Sequence, residues 1–249
     1  MQLADGSTTN FLLSGTNGTI DGDPGVTTVT LASGVTIRDL TIQGGTTVIG
    51  GNAVSNFTLT DLNIQNATDG ISVTGAAGAN VSNISFSGIT GTSLFLNNQS
   101  ATISNITING GTNGLSIANN TGTTTLSNIN VSNVSGDALS FSNNTGVINV
   151  SGFTATNTGD DAIAVTGGGT FGFTGTTTLS GLGAGATSDG IDLSNTNNAT
   201  LTFGDVDVTG LGGGTGLNMA GADATLTMQS LDITGTGVAG SKGVDLSGT

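Results

Sequence analysis

The amino-acid sequence predicts an all-β solenoid in which each coil consists of three short strands. One observation is a unit that recurs at residues 101–120, 124–144 and 147–165, each time with three apolar pairs separated by polar bends. A second is composition: Thr, Val, Ile, Asn and Gly dominate and strong helix formers are scarce, which favours strands and turns over helices. A third is that the unit continues at a regular step in both directions, which is typical of stacked repeats.

Within each unit the two members of an apolar pair are two residues apart, so both point to the same side of a strand. In the first copy, these pairs are Ala101 with Ile103, Ile106 with Ile108, and Leu115 with Ile117. The second copy repeats them as Thr124 with Leu126, Ile129 with Val131, and Leu139 with Phe141. The third has Ile148 with Val150, Phe153 with Ala155, and Ile163 with Val165. Each unit therefore predicts three strands with one apolar side.

The first apolar residue of the third pair marks the repeat along the chain. It falls at Ile71, Leu94, Leu115, Leu139, Ile163, Ile191, Leu217 and Val244, at steps of 21 to 28 residues. A step of variable length fits a coil in which one bend can grow while the others keep their length.

The bend between the first and second strands is short and constant. It has two residues, and the second is Asn, Asp or Gly in Asp61, Asn83, Asn105, Asn128, Gly152 and Asp205. These residue types tolerate a left-handed backbone, which a sharp two-residue bend requires. Residues 52–165 are the most regular part, and from Gly167 to Gly185 the register loosens.

The sequence predicts two regions. Residues 1–29 do not follow the repeat and carry a turn signal at Asp23-Pro24-Gly25, so we expect them to form an N-terminal cap over the first coil. Residues 30–249 form the solenoid. The repeat runs to Leu246 without a sign of a closing cap.

Composition excludes several functions. The net charge is −14, and the only basic residues are Arg38 and Lys242, so neither nucleic acid nor an anionic membrane is an expected partner. The chain has no Cys and therefore no disulfide or thiol chemistry. No stretch is long and apolar enough to span a bilayer, and the N-terminus lacks the pattern of a signal peptide.

Units such as residues 101–120 and 156–168 resemble the coils of right-handed parallel β-helix proteins with the pectin-lyase-like architecture. The resemblance covers about residues 30–249, and the acidic, Cys-free, Gly/Thr/Ser/Asn-rich composition is similar to bacterial surface adhesins and secreted passenger domains. It implies three parallel sheets and about nine coils stacked roughly 4.8 Å apart, giving a rod on the order of 40 Å long. Equivalent inward residues would form ladders, for example Ile84, Ile106, Ile129 and Phe153.

Carboxylates recur in the bend before the third strand. Asp137, Asp161 and Asp189 each lie two residues before the repeat marker, and Asp160 precedes Asp161. On stacked coils these side chains would form one column, and neighbouring carboxylates repel unless they are protonated or bridged by a cation. One hypothesis is a Ca²⁺ site formed by Asp137, Asp160, Asp161 and Asp189. The alternative is that each Asp accepts backbone N–H bonds in its own turn and faces water.

A catalytic hypothesis rests on a second resemblance. Gly159-Asp160-Asp161 is similar to the paired-Asp segment of polygalacturonase-type glycoside hydrolases, which implies an inverting acid/base pair at Asp160 and Asp161 with Asp137 or Asp189 as the third carboxylate. That family also uses a His and an Arg-x-Lys coil. This chain has no His, Trp or Tyr, and it has nothing like either motif near the column.

A third hypothesis concerns Thr-x-Thr pairs at Thr58, Thr200 and Thr225, which could form a flat Thr face as in ice-binding solenoids, although the pattern is broken at Asn80. Thr is also a common outward strand residue.

The expectation that these observations favour is a non-enzymatic, extracellular module. It would act as a stalk or adhesin segment on a bacterial cell surface, without a cofactor, and could associate end to end into fibres. Its partners would be copies of itself, neighbouring domains of a larger chain, or a surface glycan or protein. The alternative is a glycan-active enzyme that uses the Asp160/Asp161 region.

Overall fold

The computed structural model describes residues 11–75, 78–98, 100–183, 185, 187–235 and 239–247. These residues form eighteen β-strands, and no helix occurs among them. The strands are β1 (Phe11–Gly22), β2 (Thr27–Thr30), β3 (Val35–Gly44), β4 (Thr47–Asn52), β5 (Thr58–Ala67), β6 (Asp69–Thr74), β7 (Ala79–Ile89), β8 (Thr92–Asn97), β9 (Ala101–Asn109), β10 (Asn113–Ala118), β11 (Thr123–Ser132), β12 (Leu139–Ser142), β13 (Val147–Thr156), β14 (Ile163–Ser180), β15 (Ile191–Leu211), β16 (Thr215–Asn218), β17 (Asp223–Gly235) and β18 (Lys242–Asp245).

All strand pairs are parallel, and each strand pairs with its equivalent one coil away. Long strands form one ladder from β1 and β3 to β15 and β17, and short strands form another from β2 and β4 to β16 and β18. The later β14 and β15 contribute to both ladders because each runs through the connecting bend. The prediction of an all-β parallel β-helix is confirmed. The solenoid has about ten turns, close to the nine expected.

A bend within each long strand divides its ladder into two faces. In β5, for example, Thr58–Thr60 lies on the first face and Leu62–Ala67 on the second, while the short strands form the third face. The residue at the bend has a left-handed backbone, with φ of 53° at Asp61, 54° at Asn83 and Asn105, and 53° at Asn128. The predicted left-handed corner is confirmed at Asp61, Asn83, Asn105 and Asn128, and at Gly152 with φ of 71°, whereas Asp205 does not have the left-handed φ predicted for it.

Side chains at this corner also bond along the stack. Asn83 Nδ2 donates to Asp61 Oδ1 at 3.0 Å, Asn105 to Asn83 at 2.8 Å, and Asn128 to Asn105 at 3.0 Å. Each amide acts as donor to one coil and acceptor from the next, which satisfies both of its ends. The corner is thus fixed by local backbone preference and by hydrogen bonds between coils.

The repeat marker read from the sequence is one continuous column of the third face. Register pairs join Val29, Ile49, Ile71, Leu94, Leu115, Leu139, Ile163, Ile191, Leu217 and Val244 in that order. On the second face, Ile84, Ile106, Ile129 and Phe153 are aligned in the same way, as predicted. Alternation by two residues places both columns inside the coil.

The core is a stack of aliphatic columns with a cluster of aromatic rings towards its C-terminal half. Phe86, Phe141 and Phe153 are buried, as expected from the sequence. The rings of Phe173 and Phe203 stack with centroids 4.3 Å apart, and Phe141 lies 5.3 Å from Phe171. Such contacts add to the hydrophobic burial of each ring.

The irregular stretch after Gly167 contains a register shift. Phe173 pairs with Phe203, but the next partners are Thr176 and Asp205, and Gly175 has a left-handed φ of 78°. After this shift Thr177 takes the inward position between Phe153 and Val206, where it is buried. A polar residue at a core position is why the sequence pattern fitted poorly here.

At the N-terminal end, β1 pairs in parallel with β3, with Leu13 beside Ile37 and Ile20 beside Ile42. Residues 11–22 thus continue the long-strand ladder. Residues 1–10 of the expected cap lie outside the described residues, and the division at residue 29 stays a prediction. No helix long and apolar enough to cross a membrane was found in the part of the chain described.

Candidate functional site: the aspartate column

Asp137, Asp161 and Asp189 lie in one column at the bend before the third face. Asp137 N donates to Asn113 Oδ1 at 3.2 Å, and Asp189 N donates to Asp161 Oδ1 at 2.7 Å. The column continues through Thr215, whose N–H donates to Asp189 Oδ1, to Lys242, which pairs with Thr215. The predicted stacking of these positions is therefore observed.

The carboxylates that accept these bonds bind the backbone of the following coil, not of their own turn as the alternative expected. The same bond occurs earlier in the column, where Thr92 N donates to Asp69 Oδ1 at 3.0 Å. At Asn113, a neutral amide oxygen performs this task equally. The bond therefore requires a short side chain with an acceptor oxygen, and it does not require a charge.

Burial distinguishes the later carboxylates from ordinary surface aspartates. Asp161 is 8% exposed and Asp189 is 3% exposed, whereas Asp137 and Asp160 are half-buried. Loss of hydration disfavours the ionised form, and nearby like charges act in the same direction. Burial therefore raises the pKa values of Asp137, Asp161 and Asp189.

Desolvation raises the pKa of Asp161 to about 8, and the negative charges of Asp192, Asp137 and Asp160 add to the effect. The amide of Asp189 acts against this increase because it bonds to the carboxylate. Desolvation also raises the pKa of Asp137 to about 6, helped by the charge of Asp160. At neutral pH Asp161 is mainly protonated, and the column carries less charge than its sequence suggests.

Burial likewise raises the pKa of Asp189, while bonds from Thr215 and Asn218 oppose the increase. Asn218 Nδ2 donates to Asp189 Oδ2 at 2.8 Å, so both oxygens of this carboxylate have partners. Each oxygen of the Asp189 carboxylate thus accepts one hydrogen bond from the protein.

Asp192 belongs to the same electrostatic group, and the sequence reasoning missed it. It follows the column marker Ile191 by one residue, which makes it an outward side chain on the third face, half-buried and beside Ala164. Its charge raises the pKa values of Asp137, Asp161 and Asp189. The signal was available as an acidic residue at the first outward position of a short strand.

The Ca²⁺ hypothesis can be compared with the arrangement of the acidic side chains. Within the described ranges, no three acidic side chains are arranged so as to hold a metal ion. One oxygen of Asp161 and both of Asp189 already accept hydrogen bonds from the protein. The Ca²⁺ hypothesis for Asp137, Asp160, Asp161 and Asp189 stays a prediction, and a melting experiment tests it below.

The two cationic side chains are each beside a different carboxylate. Arg38 Nη1 lies 3.6 Å from Asp39 Oδ2, and Lys242 Nζ donates to Asp245 Oδ2 at 2.6 Å. Lys242 stands in the aspartate column, but three coils beyond Asp161, roughly 14 Å along the stack. Neither side chain is therefore placed to assist Asp160 or Asp161 as a catalytic base.

A polar groove runs beside the opposite end of the third face. It has a volume of about 580 Å³ and is lined by Asn52, Ala53, Thr74, Gly75, Asn97, Asn98, Asn119 and Thr121. Thr74 Oγ1 donates to Asn52 Oδ1 at 2.7 Å, and Asn119 Nδ2 donates to Asn97 Oδ1 at 2.9 Å. On the same face Phe95 points outward between Ser72 and Ser116. The sequence reasoning had not identified this groove.

The Thr-x-Thr pairs are aligned over only part of the stack. Thr200 and Thr202 are aligned with Thr225 and Thr227 on the first face, whereas Thr58 is followed by Asn80.

Comparison with protein-family models, with curated proteins and with solved structures found no match to this chain. The likeness to pectin-lyase-like proteins and to adhesins therefore rests on the sequence motifs alone.

Proposed function

We propose that the chain is a rigid, non-enzymatic β-solenoid module that serves as a stalk or adhesive segment of an extracellular surface protein. The observation that carries the proposal is the unbroken register of the third face, in which one inward column runs from Val29 to Val244 without a missing partner. A stack of this kind transmits load through every coil and holds surface side chains at a fixed spacing of about 4.8 Å.

Support for an adhesive role comes from the polar groove. Amides and hydroxyls repeat along it once per coil, at Asn52, Thr74 and Asn97, and Phe95 lies on the same face. Neutral carbohydrates bind to such combinations of amide donors and acceptors with an aromatic ring. The net charge of −14 disfavours acidic glycans. The proposed ligand class is therefore a neutral glycan.

The proposal makes a direct test possible with immobilised protein and a panel of neutral and acidic polysaccharides. We expect binding of a neutral polysaccharide that is weakened at least tenfold by Asn97→Ala or Phe95→Ala. The matched control is Thr227→Ala, which removes an exposed polar side chain from the first face. Binding that all three variants leave unchanged would remove the adhesive part of the proposal.

A second candidate function is glycan cleavage at Asp160 and Asp161. The specific observation in its favour is that burial raises the pKa values of Asp137 and Asp161, as a general acid requires. Against it, Asp161 is 8% exposed and uses Oδ1 to bind the amide of Asp189, so little of this carboxyl is accessible to a substrate. We therefore favour the non-enzymatic module.

The same polysaccharide panel separates the two functions when products are measured as well as binding. The module predicts binding without new reducing ends or unsaturated products. Cleavage by the wild-type protein that is lost in both Asp160→Asn and Asp161→Asn would instead establish the enzyme.

A further inference from the structure

Outward side chains of the first face form two parallel columns. From β9 to β17, register pairs join one column in the order Thr102, Thr125, Asn149, Gly172, Thr202 and Thr227. Two residues earlier on each strand from β11 onwards, a second column contains Thr123, Val147, Thr170, Thr200 and Thr225. Gly172 is half-buried, and all the other residues of both columns are exposed. We call these two columns the threonine face.

The threonine face carries no charged residue, although the chain as a whole has a net charge of −14. The other faces differ over the same coils, because the second exposes Asp207 and Asp232 and the third carries the aspartate column. Arg38 lies on the first face, but three coils before β9. Asp223 comes two residues before Thr225, at the border of the last coil. The acidic residues are thus distributed around the threonine face and not within it.

The parallel ladder fixes the spacing of the hydroxyl groups on this face. Successive coils place equivalent residues roughly 4.8 Å apart, and the two outward positions of one strand lie about 6.7 Å apart. The register shifts of β13, β14, β15 and β17 all fall outside the threonine face. Thr is branched at Cβ, so its side chain has little freedom about χ1. The hydroxyl groups therefore form a regular two-dimensional grid before any ligand binds.

A ligand for this surface must be uncharged and must offer hydrogen-bonding groups at the same regular intervals. Val147 is the only aliphatic side chain of the two columns, so a protein partner would bury little apolar area there. The absence of charge gives no attraction for an ionic ligand. The surface of ice is uncharged, consists entirely of hydrogen-bonding oxygen atoms, and repeats at intervals close to both spacings of the grid. Ice therefore matches this face in both chemistry and periodicity.

We propose that the threonine face binds ice. Water molecules bridge neighbouring polar groups on protein surfaces at little free-energy cost. On this grid such waters would occupy positions of an ice lattice and would join a growing crystal without any rearrangement of the protein. This activity is additional to the proposed function as a stalk or adhesive segment, and it does not use the polar groove of the third face.

Asn149 and Gly172 interrupt the run of Thr between Thr125 and Thr202, which makes a test by gain of function possible. Asn149→Thr combined with Gly172→Thr would make the first column Thr in every coil from β9 to β17. Gly172 does not have a left-handed φ, and a Cβ added there would lie 3.2 Å from Asn149 Oδ1, an atom that the first substitution removes. The double variant should therefore fold normally and bind ice more strongly than the wild type.

The assay grows ice slowly in a protein solution and measures the fraction of protein incorporated, together with the difference between the melting and freezing temperatures of a single crystal. Thr125→Tyr and Thr202→Tyr place a bulky ring on the threonine face, and Thr107→Tyr adds the same ring to an exposed position of the second face as their matched control. Asn130→Thr, between Thr107 and Thr154 on the second face, is the control for the double variant. Circular dichroism and melting curves verify that every variant remains folded.

We expect the wild type to enter the ice and to lower the freezing temperature below the melting temperature. Thr125→Tyr and Thr202→Tyr should each lose most of this activity, the double variant should exceed the wild type, and both second-face controls should equal it. Exclusion of the wild-type protein from ice, with equal melting and freezing temperatures, overturns the proposal. An ice activity that both Tyr variants of the threonine face leave unchanged overturns it as well. Neutral-polysaccharide binding by a protein that ice excludes would leave the proposed function intact.

Discussion

Replacing Asp161 by Asn tests the electrostatic account of the aspartate column. Burial raises the pKa of Asp161 from 3.8 to about 8, so the folded protein keeps a proton that the unfolded chain loses. For a carboxyl group with a raised pKa, the associated stability is complete below pH 3.8 and is lost as pH increases towards 8. Asp161 should therefore make the wild-type protein progressively less stable between these two pH values.

The magnitude follows from the interval between the ordinary pKa and the working pH. At pH 7 this interval is about three pH units, which corresponds to roughly 4 kcal/mol at about 1.4 kcal/mol per unit. Coupling to Asp137, Asp160 and Asp192 divides this cost among several groups. We expect Asp161→Asn to increase the free energy of unfolding at pH 7 by about 2–4 kcal/mol.

The substitution preserves the hydrogen bond on which the corner depends. Asp161 Oδ1 accepts from Asp189 N at 2.7 Å, and Asn113 Oδ1 already performs this role for Asp137 N at 3.2 Å in the same column. An amide at residue 161 can thus keep the acceptor and remove the titrating group. The change in stability should therefore report ionisation and not a lost bond.

The assay is urea unfolding at pH 4, 5, 6, 7 and 8. Asp161→Asn and wild type should differ little at pH 4 and most at pH 8, because the variant should lose less stability than the wild type as pH increases over this range. The control Asp61→Asn removes one carboxylate at an exposed corner where the next coil already carries Asn83. Parallel pH curves for wild type and Asp161→Asn would refute the reasoning.

Three further predictions concern the corner, the core and the cation hypothesis. Asn105→Ala should destabilise the protein by about 1–3 kcal/mol in urea unfolding, because it removes the hydrogen bonds to Asn83 and Asn128 and places Ala at a φ of 54°. Asn105→Gly removes the same hydrogen bonds but should cost less, because Gly tolerates that φ. Equal losses of stability in the two variants would show that backbone strain is unimportant here. Phe173→Ala should lower the free energy of unfolding by about 3–5 kcal/mol, because it leaves a cavity where the buried ring stacks on Phe203. Phe95→Ala on the outer surface should lower it by about 1 kcal/mol or less. Similar losses of stability in the two variants would contradict the inward position of Phe173 and the outward position of Phe95. The melting temperature should be the same in Ca²⁺ and in chelator, since no group of three acidic side chains among the described residues is arranged to hold a metal ion. A higher melting temperature in Ca²⁺ would support the Ca²⁺ hypothesis for Asp137, Asp160, Asp161 and Asp189.

Much of the fold could be predicted because every coil of a solenoid repeats the same local sequence pattern. Each marker from Ile71 to Val244 was assigned from spacing alone, and every one lies in the predicted column. The stretch near Thr177 was harder to interpret because the register shift at Gly175 changes which residue points inward, and spacing within one coil does not reveal such a shift.

The candidate site was predictable in its position but not in its chemistry. The sequence placed Asp137, Asp161 and Asp189 in one column because equivalent positions of a solenoid must stack. It could not show that Asp161 and Asp189 bind amides of the following coil, or that Asp192 contributes its charge from the outer face. These contacts join residues 26 to 28 positions apart.

The sequence by itself determined the three-sided coil, its inward columns and its left-handed corners, because strand alternation and the backbone preferences of Asn, Asp and Gly are local properties. Only the tertiary structure decided which carboxyl groups are buried from water, which backbone amides they bind, and which apolar residues are exposed on the last described coil. Burial depends on what the neighbouring coils place around a side chain, and that is a property of the stack and not of any one repeat.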